Sequence, residues 1–322
     1  ATATGALLLL WLFCLPRDLF EDTVYSTVVT DRNGDLLGAR IADDGQWRFP
    51  AGDSLPPKFV AALIEFEDRS FYRHMGVSPK ALVRAAIQNI RGGRIVSGGS
   101  TLTMQVIRLS RQKPRTIWQK MVELFMATRL EARCTKEEIL RLYAAHAPFG
   151  GNVVGIEAAL WRYLGNDGSE LSWAEASTLA VLQNAPSSIH LSRNREALLA
   201  KRNRLLRRLC EQGYLSESEY ELSTGEPLIG EPYPMLQYAP HVIERCNAVH
   251  HGERTRTHID LSLQKRLEET TARWRQELSA EGVNDLAAVV VAVKTGEVVA
   301  YCGNSDMACE REGKWVDIAR AP

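Results

Sequence analysis

No charge of one sign dominates this sequence: Lys plus Arg equals Asp plus Glu at 39 each. Composition therefore implies no nucleic-acid partner, although local basic runs still need a reason. Cysteine is sparse. Cys14, Cys134, Cys210, Cys246, Cys302 and Cys309 show no CxxC spacing and no accompanying histidine cluster, which disfavours a zinc site and a disulfide framework alike. Only Cys302 and Cys309 are close enough to suggest a local bridge. Internal repeats, low-complexity tracts and the Gly-Lys-Ser/Thr of a phosphate loop are also missing. No apolar run reaches the ~20 residues of a spanning helix. The nearest approach is "GALLLLWLFCLP", Gly5 to Pro16, within 16 uncharged residues before Arg17. Because the chain starts at Ala rather than Met, the expectation is a partial transmembrane signal-anchor over 1–19. A cleaved signal peptide is the second reading. Either places the remainder on the exported side of a membrane.

What is present describes a folded protein. Apolar residues make up 45% and charged residues 24% of 322 positions, a globular composition long enough for two domains. Residues 20–50 read as a short β segment, with "STVVTDRNGDLLGARI" alternating around Asn33-Gly34, a hairpin signal. Residues 51–222 read as helical, with stops at Gly92-Gly93, Gly150-Gly151 and Asn166–Gly168, and close on a basic helix and a capped successor. Pro227, Pro232, Pro234 and Pro240 mark a linker over 223–255. Residues 256–322 read as α+β: a short strand, an amphipathic helix, then two β-rich runs joined at Thr295-Gly296. The fold class is mainly α, with a small β segment before the helical domain and an α+β piece after it.

Three stretches carry candidate chemistry. In "IEFEDRSFYRHMG", helical spacing puts Val60, Leu63, Ile64, Glu67 and Phe71 near one face, with Glu65 elsewhere. A carboxylate on an apolar face is drawn toward the range useful for general acid–base work. The same spacing fits a buried structural Glu paired with Arg69, Arg73 or His74. In "RGGRIVSGGSTLTMQVIRLSRQKPR", Gly98-Gly99 feeds a helix with Ser100 as its N-cap, a start that favours anions. Arg108, Arg111, Lys113 and Arg115 follow; a solvated basic face is the plain alternative. In "RTIWQKMVELFMATRLE", Lys120 and Glu123 stand three apart, the spacing of a surface ion pair.

Taken together, these stretches resemble the family 51 glycosyltransferase domain of class A penicillin-binding proteins. The family's Glu-Asp-x-x-Phe-x-x-His-x-Gly motif is matched by Glu67, Asp68, Phe71, His74 and Gly76. Its Gly-Gly-Ser-Thr-Ile-Thr-Gln-Gln motif appears as "GGSTLTMQ", departing at Leu102 and Met104. Its Arg-Lys-x-x-Glu motif appears as "QKMVE", with Gln119 for Arg. "KEEILRLYAAHAPFGGNVVGIEAA" and "LAVLQNAPSS" match a fourth and a fifth region, and Met104 and "APFGG" resemble the 1C type within that family. Where the family has Tyr-Leu-Asn, this chain has "YAA", so Ala145 removes an amide.

The resemblance implies a lysozyme-like helical glycosyltransferase that polymerises lipid II, with Glu67 as base and Glu123 as second carboxylate. It implies substrate contacts from His74, Ser100, Thr101, Gln105, Arg108 and Lys120. It also implies a divalent cation, Mg or Mn, bound with the lipid diphosphate and met indirectly by Glu123. The expected partners are lipid II, the growing glycan strand, the membrane and cell-wall synthesis proteins, and no nucleic acid. The expected location is the bacterial inner membrane, single-pass, with the catalytic part outside the cytoplasm. Two rivals are a lysozyme-like hydrolase and a lipid II-binding scaffold without catalysis. From Arg256 the chain resembles the start of the linked transpeptidase domain. "VDIARAP" falls before the Ser-x-x-Lys nucleophile, so no transpeptidase activity and no covalent penicillin label are expected from these residues.

Overall fold

The computed structural model describes residues 2–52, 54–80, 82–84, 87, 99–183, 191, 194–305 and 313–320. In chain order the elements are α1 (Thr2–Phe13), β1 (Thr27–Thr30), β2 (Leu36–Arg40), β3 (Trp47–Arg48), α2 (Pro57–Glu67), α3 (Leu102–Arg111), α4 (Ile117–Arg133), α5 (Lys136–His146), β4 (Pro148–Gly150), β5 (Val153–Val154), α6 (Ile156–Tyr163), α7 (Trp173–Leu182), α8 (Arg195–Glu211), α9 (Glu217–Gly225), α10 (Pro240–Val249), β6 (Arg254–Arg256), α11 (Leu261–Leu278), β7 (Ala288–Val291) and β8 (Val298–Cys302). The fold is mainly α, as expected. Contacts divide the chain into two units: Ala1–Thr23 with Ala51–Tyr233, and Val24–Pro50 with Pro234–Pro322.

The first unit is built around α7. Ala174 and every residue from Ala176 to Leu182 are buried, the pattern of a helix enclosed on all sides. α2 and α8 pack against it. Ser172 starts α7 with a capping box: its hydroxyl accepts from Glu175 N at 3.0 Å, and Glu175 accepts from Ser172 N at 2.9 Å. The same device starts α5 at Thr135 and Glu138 and α9 at Ser216 and Glu219. The basic helix α8 is not wholly a solvated face. Arg202 is fully buried and donates to the carbonyls of Glu226 at 2.7 Å and Thr224 at 3.1 Å, so it satisfies the open end of α9.

α1 belongs to this unit and lies against α4, where Trp11 donates to Thr128 Oγ1 at 3.0 Å. Its 12 residues span about 18 Å at 1.5 Å per residue, short of a bilayer core of ~30 Å. Among the described residues, no helix is long and apolar enough to cross a membrane.

In the second unit, β1 lies between β2, antiparallel, and β6, parallel. Asp31 shapes the β1–β2 turn by accepting from Asn33 N at 2.6 Å and Asp35 N at 2.9 Å. Gly34 takes φ +101 there, a conformation that glycine reaches without strain. Val29, Leu37, Ile243 and Ile259 form the core beneath α10. Gly38 is obligatory for close packing, since a Cβ would stand 2.5 Å from both Ile243 Cδ1 and the Leu236 carbonyl. α11 docks on the β7–β8 hairpin through buried Gln264, which accepts from Tyr301 N at 2.8 Å and donates to Tyr301 O at 2.9 Å.

Two assignments change. The stretch 223–255 read as a linker contains α10 and β6. The β segment over 20–50 pairs with β6, some 220 residues later. Its hydrogen bonds therefore go to chain that local sequence cannot nominate. Cys302 is a free thiol, donating to Asn304 O at 3.2 Å. Its suggested partner Cys309 lies outside the described residues, as do Gly92, Gly93, Gly98 and the part of the fifth region beyond Gln183.

Candidate active site

α2 starts with Pro57 in its first turn, where a fixed φ suits a helix and no N–H is needed. The helix stops at Glu67 because Asp68 leaves the helical region, at φ −154 and ψ 77. The expected single face over Val60, Leu63, Ile64, Glu67 and Phe71 resolves into two. Phe59, Ala62 and Leu63 point into the core, while Val60, Ile64 and Glu67 form a half-buried stripe. Phe71 is buried in a 3-10 turn past the helix end, so its place on the helical wheel has no meaning.

The bland structural role falls to the other glutamate. Glu65 is buried and paired with Arg69 at 2.7 Å. Burial pushes its carboxyl up, and the Arg69 guanidinium pulls it back down. Arg69 and His74 each have a carboxylate of their own, Glu65 and Asp68. The His74 ring is buried, with Nε2 2.9 Å from Asp68 Oδ2. That same oxygen accepts from Leu102 N at 3.1 Å, so Asp68 ties the end of α2 to the first turn of α3.

Ser100, expected to cap α3, does not. The cap is Thr101, with extended backbone at φ −78 and ψ 166, whose hydroxyl accepts from Met104 N at 3.2 Å. The Thr101 hydroxyl also donates to Gly76 O at 2.6 Å. Gly76 has φ +81, and a Cβ there would stand 2.6 Å from the Ala127 carbonyl. Thr101 and His74, expected at the substrate, are both buried, and their hydroxyl and Nε2 tie the end of α2, the Gly76 turn and the start of α3 together. Ser100 is half-buried beside the cap.

One turn into α3, Gln105 reaches Glu67: Nε2 donates to Oε2 at 2.8 Å. Its Oε1 accepts from Arg108 at 3.1 Å. Tyr143, buried on α5, belongs to the same group. Burial raises its hydroxyl well above the ordinary value, the charge of Glu67 raises it further, and Arg108 opposes both.

Across α3 and α4, which pack together, stands Glu123. Burial pushes its carboxyl up, against Arg108, Lys120, Arg111 and Arg115 in decreasing order. Glu123 thus faces four cations, and Arg108 is common to both groups. The family resemblance, not spacing alone, named Arg108, Lys120 and Glu123. It missed Tyr143 and Asp68, although Asp68 lies inside a recognised motif, because burial and backbone hydrogen bonds leave no trace in spacing. Gln119 is half-buried, with its N–H on the capping Thr116 hydroxyl at 3.1 Å. Ala145 is buried, and its carbonyl leaves no room for a Cβ on Gly155.

The arrangement combines a half-buried carboxylate, an amide that orients it and a belt of cations that shares one member with it. Such a group can accept a proton on one side and neutralise a polyanion on the other. The fit for a bare divalent ion is poor, since one carboxylate stands among four positive charges. A dication arriving on a diphosphate is different, because the diphosphate supplies the missing anionic oxygens.

A family model described as transglycosylase matches residues 35–210. Penicillin-binding protein 1C of Escherichia coli is 39% identical over 296 residues, 91% of this chain and 38% of that protein. Penicillin-binding protein 1A of Aquifex aeolicus is 39% identical over 177 residues, 55% of this chain and 24% of that protein. The chain thus spans well under half the length of these relatives. Among solved structures, penicillin-binding protein 1A from Haemophilus influenzae matches at 18% identity and a TM-score of 0.37, covering 78% of this chain and 29% of that one.

Proposed function

This chain belongs to the transglycosylase family, and from that premise we propose that it is a peptidoglycan glycosyltransferase polymerising lipid II into glycan strands. The observation that carries the reading is the placement of Glu67 and Arg108 on either side of one amide. A base and an anion-binding cation then stand within a single side chain's reach of each other.

In the proposed reaction Glu67 takes the proton from the 4-hydroxyl of the acceptor sugar. The new bond forms from that oxygen to C1 of the growing strand as the bond from C1 to the diphosphate breaks. The electron pair leaves with undecaprenyl diphosphate, and attack opposite the leaving group inverts C1. Arg108, Lys120, Arg111 and Arg115 meet the charge that develops on the diphosphate, where preorganised donors count most. Ser100, half-buried at the mouth of α3, is assigned to the same lipid. Mg or Mn bound to the diphosphate would add positive charge to the leaving group, and Glu123 would be the residue to meet it.

A lipid substrate also accounts for the apolar surface of the first unit. Leu7 to Leu10, Leu12 and Phe13 of α1 are exposed, as are Ile117, Trp118 and Met121 of α4. We assign these to a bilayer surface, with the site on the exported side of the bacterial inner membrane and other cell-wall synthesis proteins as neighbours.

Turnover of labelled lipid II tests the reading. Wild-type protein should convert it to long glycan strands, and the Glu67→Gln variant should not. Shorter fragments from mature wall would identify a hydrolase instead, and binding of lipid II without product a scaffold.

A further inference from the structure

We infer that Gln105 is a positioning residue, which orients the base and couples it to the diphosphate cation, rather than a substrate contact. The inference rests on the glycosyltransferase reading above. Its geometry is complete within α2 and α3: both polar ends of the amide are already engaged, Nε2 on Glu67 Oε2 at 2.8 Å and Oε1 on Arg108 at 3.1 Å.

The direction of the amide follows from the charges. A carboxylate accepts only and a guanidinium donates only. Rotating the amide by half a turn would put its oxygen against the carboxylate and its NH2 against the guanidinium, two repulsive contacts in place of two attractive ones. The orientation is therefore fixed without reference to any substrate.

One consequence follows: the Gln105 amide holds the Glu67 carboxylate at the end of a helix, where α2 has already run out of backbone support. Gln105 stands one turn after the Thr101 cap, so the lengths of α2 and α3 and the Asp68 tie together set its distance to Glu67. Met at 105 would fill the space with neither bond. Glu would keep an acceptor for Arg108 while repelling Glu67. Arg108 from α3 and Tyr143 from α5 are charged or titratable groups near the base.

The decisive experiment is a double-mutant cycle on steady-state lipid II polymerisation. Gln105→Met should lower kcat by roughly 10- to 100-fold, the cost of misplacing a reacting group by about an ångström, with KM and melting temperature nearly unchanged. Because Gln105 acts through Glu67, adding Gln105→Met to Glu67→Gln should cost no further rate. Gln105→Glu should be at least as slow as Gln105→Met despite keeping its bond to Arg108. Multiplicative losses in the double variant, or a raised KM at constant kcat, would make Gln105 a substrate contact and overturn the inference.

A readout without turnover separates this inference from the proposed function. In 15N-labelled protein, the Gln105 side-chain amide, assigned by its loss in Gln105→Met, should shift toward its free position in Glu67→Ala. If it shifts while wild-type protein fails to polymerise lipid II, the bridge stands and the function reading falls. If it does not shift, the bridge is absent and the inference fails whatever the activity.

Discussion

Glu65 and Glu67 differ by two positions in one helix and by almost everything else. Glu65 is enclosed and neutralised by Arg69, whereas Glu67 stands half-buried at the helix end and is held by Gln105. Glu67→Gln keeps the shape and removes the base, so polymerisation should fall by ~10²–10⁴ with the melting temperature within a degree or two of wild type. A melting curve beside a lipid II assay checks both halves. Asp68→Ala should give the opposite signature. It strips the acceptor from a buried imidazole and from the first N–H of α3, at about 1–3 kcal/mol for each orphaned group. At roughly 2–4 °C per kcal/mol for a unit of this size, a large drop in melting temperature should accompany any loss of rate. Arg108→Ala and Lys120→Ala belong with Glu67: kcat should fall about a hundredfold or more, with little change in melting temperature.

At the scale of single helices, the capping boxes make a prediction in pH. The backbone N–H of Thr135, and then its hydroxyl, hold the Glu138 carboxyl below its ordinary range, and Ser216 does the same for Glu219. A carboxyl depressed in the folded state lends stability above its unfolded pKa and loses it as pH falls through the folded value. Wild type and Glu138→Gln should therefore differ most near pH 7 and converge as Glu138 protonates in acid. Melting temperatures of both proteins across that range test the sign. Glu123 works in reverse: its carboxyl is raised by burial, so its ionisation costs stability as pH climbs above its unfolded value. Glu123→Gln should accordingly melt no lower than wild type at neutral pH.

At the scale of the whole molecule, the assigned bilayer surface can be separated from the catalytic group. Ile117 is 86% exposed and Trp118 72% exposed, too open to contribute to the core. Replacing both with Ser should leave the melting temperature unchanged and weaken phospholipid vesicle binding in co-flotation by up to about a hundredfold or more, since each loses up to ~1.5–3 kcal/mol of potential apolar burial. Equal flotation by the double variant would remove α4 from that surface.

The sequence by itself determined the mainly α class, the capped helix after α8, and the Asn33-Gly34 and Thr295-Gly296 turns. These depend on contacts between residues two to four apart, which spacing records directly. Its ordered motifs also named Glu67, Arg108, Lys120 and Glu123. Only the tertiary structure showed which partners those motif residues take. His74 and Thr101 sit in the same motifs as Glu67 and Gln105, but the His74 Nε2 is bonded to Asp68 and the Thr101 hydroxyl to Gly76 and Met104. Only the fold, too, joined β1 to β6 across the chain and buried Arg202 inside a helix that reads as a basic face. The physical reason is common to all three cases. A buried polar group must find a hydrogen-bond partner, and when that partner lies on another element, its identity is settled by packing rather than by any local pattern.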